Sequence, residues 1–73
     1  MIRKALISAR ADRTQNEVAK NLDIDQRYLS KLELGERNPS ANIMARISRF
    51  YNEPVEKLFP DIFLLSSTPK KSK

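Results

Sequence analysis

The chain has 73 residues, of which 14 are Lys or Arg and 9 are Asp or Glu, so its formal net charge is +5 at pH 7. A chain of this length supports one domain with a single core and leaves no room for a second catalytic lobe. It contains neither Cys nor His, which removes disulfides, thiolate zinc sites and the imidazole base common in enzymes. We therefore expect no enzymatic activity, no metal and no small-molecule cofactor.

The excess positive charge indicates a class of partner. A sequence pI of about 9.9 is typical of proteins that bind phosphates, although many small domains are basic for solubility alone. The longest apolar run, residues 62–65, is far shorter than the ~20 residues of a membrane span. The first residues carry two charges but then reach Ser8, Arg10 and Asp12 without the apolar stretch that a signal peptide requires. We expect a cytoplasmic protein with no membrane association.

Apolar residues recur at helical spacing, and no segment shows the alternation that a half-buried strand requires. The sequence therefore predicts an all-α fold of five helices. The first helix spans about residues 2–10. Thr14 and Glu17 have the spacing of a capping box, so the second helix begins near Gln15 and ends at Asp23.

The later helices have their own start and stop signals. They are predicted at residues 26–34, 41–51 and 55–59. Asp25 and Ser40 are placed to cap the third and fourth helices, and Gly35 is placed to close the third in a left-handed conformation. Pro60 is expected to end the fifth helix.

The chain ends in eight residues without an apolar side chain, three of them lysines. This composition predicts a domain at residues 1–65 and a disordered basic tail at residues 66–73. The tail lysines are either solubilising or a phosphate-binding arm.

The third helix has a narrow apolar stripe, formed by Leu29 and Leu32, and follows the second helix after a very tight turn. Its opposite face carries Arg27, Ser30, Lys31 and Leu34, flanked by Gln26 and Tyr28. A short helix with polar and basic side chains directed outward fits a recognition helix that enters a DNA major groove. In isolation such charges would be interpreted as a solvated face, but this pattern favours double-stranded DNA as the partner.

Two sequence blocks carry a family resemblance: Thr-Gln-Asn-Glu-Val-Ala at 14–19, and Tyr-Leu-Ser-Lys-Leu-Glu-Leu-Gly-Glu-Arg-Asn-Pro-Ser at 28–40. Over residues 2–60 the chain resembles phage-repressor and Cro-type helix-turn-helix domains, often called XRE-type. The resemblance implies a compact, lambda repressor-like five-helix bundle that binds DNA and regulates transcription. It also implies a homodimer, and we expect a repressor that occupies an inverted-repeat operator.

The resemblance also implies residue roles. Contacts with base edges are expected from Gln26, Arg27 and Lys31, with Ser30 added as a further candidate. Contacts with the DNA backbone are expected from Gln15, Arg37 and Asn38, with Tyr28 and Arg13 added as further candidates. The chemistry fits these roles, because Arg and Lys donate to guanine, Gln pairs with adenine, and a helix N-terminus favours phosphate.

Two positions depart from the family pattern. Asp23 stands in the turn where Gly is usual, so we expect a left-handed Asp at some cost in strain. Ser8 stands where the family often has an arginine that pairs with the glutamate of the third helix. Because the link between the first two helices is about two residues shorter than usual, an Arg10 to Glu33 ion pair is a candidate replacement.

The apolar residues after the fifth helix leave two alternatives open. Ile62, Phe63, Leu64 and Leu65 either fold back on the core beside residues 1–2, or form a dimer contact, since the resembled family commonly dimerises through its C-terminal part. Leu34 likewise meets a thymine methyl group, packs under the following loop, or is simply exposed.

A second functional hypothesis retains the fold without sequence-specific DNA binding. In this alternative the protein is an interaction module, such as an antitoxin that neutralises a toxin. For a regulator of this size, a protein antagonist is a candidate means of control, alongside concentration and proteolysis.

Overall fold

The computed structural model describes residues 2–63, which form helices joined by short turns and loops, with no strand. The main helices are α1 Lys4–Arg10, α2 Gln15–Leu22, α3 Gln26–Leu34, α4 Ala41–Tyr51 and α5 Val55–Leu58. The predicted all-α fold is confirmed. None of the described helices is long and apolar enough to cross a membrane.

The helix starts follow from the local capping residues. The Thr14 hydroxyl accepts a hydrogen bond from the Glu17 amide, and the Glu17 carboxylate accepts one from the Thr14 amide, both at 3.1 Å. This reciprocal capping box begins α2 as predicted. The side chains of Asp25 and Ser40 each accept one amide hydrogen bond at the starts of α3 and α4, and each such cap stabilises a helix by about 1 kcal/mol.

The number of helices differs from the five predicted. Residues 60–63 form a sixth helical segment, α6, so Pro60 begins a helix where we expected it to end one. Its fixed φ and missing amide hydrogen suit the first position of a helix. The first helix also begins at Lys4 and not at residue 2, because the Arg3 backbone is not helical, with φ −89° and ψ 84°. The Arg3 amide instead donates to the Glu33 carbonyl at 2.8 Å.

The core lies where the inner faces of the helices meet. Its fully buried apolar side chains are Leu6, Val18, Ala19, Leu22, Leu29, Leu32, Ile47, Leu58 and Phe59. Each large one contributes roughly 1.5–3 kcal/mol relative to an exposed side chain. Each of the helices α1–α5 contributes at least one side chain to this cluster. Contacts with the rest of the domain therefore fix the orientation of α2 and α3.

Positive φ occurs at three described residues other than glycine, each directly after a helix: Ala11, Asp23 and Asn52. Asp23 ends α2 with φ 59° and ψ 46°, so the expected left-handed Asp is confirmed. Arg46 of α4 donates to the Leu22 carbonyl at 2.9 Å and so satisfies an acceptor in the last turn of α2. Ala11 follows α1 with φ 56° and ψ −130°, a region that β-carbon sterics make costly, in the short link to α2.

The described part of the C-terminal apolar segment lies on the domain. Ile62 and Phe63 are half-buried and pack against the core, as the fold-back alternative predicts. Ile2 lines the same surface concavity as Pro60. Leu64, Leu65 and the tail 66–73 lie outside the described residues.

Candidate nucleic-acid interface

The outward face of α3 presents most of the predicted base-contacting side chains to solvent. Gln26, Arg27 and Lys31 are exposed, while Ser30 and Tyr28 are half-buried. The start of this face is fixed by the Asp25 cap, and its inner side is anchored by the buried leucines of α3. The N-terminal two turns of α3 therefore project polar and basic groups away from the core.

A basic concavity of about 450 Å³ lies beside these turns. It is lined by Asp25, Arg27, Tyr28, Lys31 and Arg37. The Asp25 carboxylate is engaged at the α3 N-terminus, where it accepts from the Arg27 amide at 3.3 Å. The concavity thus brings three cationic side chains together, two from α3 and one from the loop that follows, which suits an anionic phosphate.

Behind this face, four residues form a chain of hydrogen bonds that we call the Glu33 network: Arg10, Glu33, Gln15 and Gln26. The Glu33 side chain is only 2% exposed, and it accepts from Arg10 Nε at 2.8 Å and Arg10 Nη2 at 3.1 Å. The bond to Glu33 raises the pKa of Arg10, against the opposing effect of burial. The candidate Arg10 to Glu33 pair is therefore present, with bidentate geometry.

The Glu33 network continues to the first residue of α3. Gln15 Nε2 donates to Glu33 Oε1 at 2.8 Å, and Gln26 Nε2 donates to Gln15 Oε1 at 3.0 Å. These bonds leave the Gln26 carboxamide oxygen and one amide hydrogen for a ligand. That pair of groups matches the donor and acceptor of adenine in the major groove.

The remaining predicted backbone-contacting residues are placed differently. Asn38 is exposed in the loop after α3, near Arg37. Arg13 instead has its guanidinium 5.3 Å from the Phe50 ring centroid and 5.5 Å from that of Tyr51. The structure therefore places Arg13 against α4, while Arg37 lines the basic concavity with α3.

Leu34, whose role the sequence leaves open, is 42% exposed at the end of α3.

Sequence reasoning missed Arg3 altogether. Its side chain is fully buried and donates to the Leu32 and Arg37 carbonyls and to the carboxylate of Asp61. In sequence Arg3 looks like any cation near the start of a surface helix, so no local signal indicates this role.

Two short helices joined by a tight turn, the second with exposed polar and basic side chains, define a DNA-binding helix-turn-helix domain. A family model described as Helix-turn-helix matches residues 2–58, and the chain belongs to this family, in its XRE type. No curated protein and no solved structure gives a significant match.

Membership gives the general activity. The family is one of DNA-binding regulatory domains and not of enzymes, so the protein is a DNA-binding transcription regulator whose partner is double-stranded DNA. Among residues 2–63, no cluster of acidic side chains could hold a metal ion.

Proposed function

We propose that the protein is a sequence-specific repressor that binds an inverted-repeat operator as a homodimer. The observation that carries this proposal is the exposed, preorganised start of α3. There the Gln15 to Gln26 hydrogen bond of 3.0 Å orients a carboxamide beside the exposed Arg27. An amide held in one orientation loses less conformational entropy on binding. Its fixed donor and acceptor also fit one pattern of groups on a base edge, which distinguishes bases.

The base contacts follow from the chemistry of each side chain. Gln26 pairs with adenine through its free oxygen and amide hydrogen, and Arg27 or Lys31 donates to the O6 and N7 atoms of guanine. Ser30, half-buried between them, is suited to a contact with either kind of base. Each well-formed bidentate contact discriminates against the wrong base by about 1–3 kcal/mol.

The backbone contacts surround this face. Gln15 lies in the first turn of α2, where amide groups and the helix dipole favour a phosphate. Arg37 and Asn38 follow α3 and supply further donors, and Tyr28 lines the basic concavity together with Arg37. Arg13 is the least supported of these candidates, since its guanidinium stacks on α4.

Dimerisation is supported by charge. Residues 50–65 contain one basic and three acidic residues, whereas residues 1–49 contain ten basic and six acidic ones. A less basic C-terminal region is suited to a protein partner and not to phosphate. A two-fold pair of such domains would place its two recognition helices about 34 Å apart, one turn of DNA.

The proposal is tested by selecting bound duplexes from a pool of random sequence with the full chain. We expect enrichment of an inverted repeat, and loss of one specified position in each half when Arg27→Ala replaces the wild type. Arg49→Ala is the matched control, because it removes the same charge from an exposed arginine on α4, outside residues 50–65.

Each part of the proposal has its own contrary result. A direct repeat or a lone half-site refutes the two-fold dimer, and activation of a promoter that overlaps the selected site refutes repression. If no sequence is enriched and binding stays near the ~10⁻⁴–10⁻⁶ M of non-specific contact, sequence-specific regulation is wrong. The interaction-module alternative, such as an antitoxin, would then replace it.

A further inference from the structure

The most deeply buried charged side chain in the described residues belongs to Arg3, at the edge of the domain. Its side chain is 0% exposed, and that of its ion-pair partner Asp61 is 20% exposed. The guanidinium lies 5.4 Å from the centroid of the Phe59 ring. A charge removed from water in this way is tolerated only where hydrogen bonds and an opposite charge compensate it.

The hydrogen bonds of Arg3 converge on the segment that follows α3. Nη1 donates to the Leu32 carbonyl at 2.6 Å and to the Arg37 carbonyl at 3.0 Å. Nη2 donates to Asn38 Oδ1 at 2.8 Å. We call Arg3, Asp61 and these three acceptors the Arg3 cluster. It ties the last turn of α3 to residues 35–39, here called the 35–39 loop.

The position of this loop determines two of the proposed phosphate contacts. Arg37 and Asn38 are both exposed, but each has one acceptor held by the same buried guanidinium. Because Asn38 Oδ1 accepts from Arg3, the amide nitrogen of Asn38 is the end available to donate. A donor, and not an acceptor, is what a phosphate oxygen requires.

We propose that Arg3 is a positioning residue for DNA binding, which holds the 35–39 loop so that Arg37 and Asn38 meet the phosphate backbone. The inference rests on the proposed backbone contacts of these two residues. Arg3 touches no DNA itself; it acts through the loop. Its effect is to order the loop before binding, so that less ordering entropy opposes the complex.

Asp61 has a definite part in this arrangement. Its two carboxylate oxygens accept from Arg3 Nε at 3.0 Å and Nη2 at 2.9 Å. This pairing uses one edge of the planar guanidinium and directs Nη1 at the two carbonyls. A lysine ammonium carries the same charge but lacks this planar set of donors. The Arg3 cluster therefore also links α6, which contains Asp61, to the loop that contacts DNA.

The first test uses the free protein and measures hydrogen exchange of the backbone amides of Gly35 and Glu36, which donate to the carbonyls of Leu32 and Lys31. Arg3→Lys keeps the charge and is expected to speed exchange at these amides by about tenfold, the equivalent of one charge-assisted hydrogen bond. Lys4→Arg is the matched control, since Lys4 is the exposed neighbour, and it should leave the rates unchanged. Unchanged rates in Arg3→Lys would overturn the proposal.

The second test is a mutant cycle in the affinity for a random-sequence duplex at fixed salt. We expect Arg3→Lys to weaken binding about fivefold to tenfold in the wild-type background. In an Arg37→Ala, Asn38→Ala background the same substitution should change affinity less than about twofold, because the groups it positions are gone. Equal factors in both backgrounds would refute positioning through the loop.

A further pair of variants keeps the test decisive if Arg3→Lys is poorly folded by circular dichroism. Asp61→Asn leaves Arg3 in place and should raise exchange in the 35–39 loop in the same direction by a smaller factor. Asn38→Asp preserves the acceptor for Arg3 but removes the outward donor, so it should weaken DNA binding without faster exchange. The opposite pattern in either variant would count against the proposal.

These outcomes separate this inference from the proposed function. Because phosphate contacts do not depend on sequence, the cycle requires only non-specific binding. Failure to enrich an operator would refute sequence-specific regulation and leave a positive cycle standing. Enrichment of an operator together with an additive cycle would refute the role of Arg3 alone.

Discussion

Replacement of Glu33 by Gln tests whether the Glu33 network stabilises the helix-turn-helix unit. The substitution keeps the size and shape of the side chain but removes its negative charge. Glu33 accepts three hydrogen bonds, two from Arg10 and one from Gln15. A glutamine side chain at this position can keep only the bonds that reach its single carbonyl oxygen. Its new NH₂ group must lie against a donor, and the guanidinium of Arg10 loses its counter-ion.

The expected loss follows from burial. Glu33 is 2% exposed and Arg10 is 20% exposed, so the carboxylate is shielded from water while the guanidinium is partly hydrated. Breaking a fully buried pair costs about 3–5 kcal/mol. Partial access of water to Arg10 lowers the cost, and we expect Glu33→Gln to reduce the free energy of unfolding by about 2–3 kcal/mol. This is a large fraction of the roughly 5 kcal/mol at the lower end for small domains.

The measurement is urea unfolding followed by helical circular dichroism, with Glu36→Gln as the matched control. Glu36→Gln makes the same chemical change at an exposed site, since the Glu36 side chain is 58% exposed and its carboxylate lies 3.9 Å from the Lys31 ammonium. Such an exposed pair contributes about 0–1 kcal/mol. If the two variants lose stability equally, the bidentate pair contributes no more than a surface pair, and our reasoning from burial is refuted.

Three other predictions concern DNA binding, backbone strain and pH. Arg27→Ala should cost about 1–3 kcal/mol and relax preference at one base, whereas Arg37→Ala should weaken all sequences alike and lower the salt slope by about one, as titrations at several salt concentrations would show. Ala11→Gly should raise the free energy of unfolding by about 1 kcal/mol by relieving positive φ, while Ala45→Gly within α4 should lower it by about 1 kcal/mol. Burial, and then the charge of Glu33, raises the pKa of Tyr51 in the folded protein above its ordinary value of 10.0. The neutral phenol therefore contributes its full stability below pH 10.0, and this contribution is lost as the pH rises through the higher pKa of the folded state. Tyr51→Phe should therefore retain more of its neutral-pH stability than the wild type when both are unfolded at about pH 11.

Contrary results for these predictions are equally specific. Equal effects of Arg27→Ala and Arg37→Ala on selected and random DNA would refute the division into base and backbone contacts. A loss of stability in Ala11→Gly would show that the link after α1 is not strained. A neutral-pH loss of more than about 1 kcal/mol in Tyr51→Phe would show that the phenol has a hydrogen-bond partner, although its buried oxygen has none in the described residues.

The parts of the fold that the sequence predicts are those with local causes. Thr14 and Glu17 lie three residues apart and cap α2 as predicted. Gly35 has a φ of 76° at the end of α3. This left-handed conformation is predictable because a glycine directly follows the helix. The outward face of α3 was likewise predictable, because helical periodicity alone separates Arg27 and Lys31 from the buried leucines.

The features that the sequence did not predict depend on residues far apart in the chain. Arg3 and Asp61 are separated by 58 positions, and nothing in the neighbourhood of either indicates the other. Arg10 and Glu33, separated by 23 positions, were proposed only because the resembled family has a comparable pair. Pro60 was assigned as a helix end for a related reason: its chemistry suits either the residue after one helix or the first residue of the next.

The two buried arginine pairs together explain how so small a core holds a binding surface in place. The apolar cluster fixes α3 through Leu29 and Leu32 on its inner side, while hydrogen bonds hold the polar groups at its two ends. Glu33, paired with Arg10, orients the first residue of α3 through Gln15. On our proposal Arg3, paired with Asp61, does the same for the loop after α3. Ion pairs of this kind contribute little net stability over apolar replacements, so their value here lies in fixing geometry. An apolar pair substituted at either site should therefore preserve folding and still weaken DNA binding.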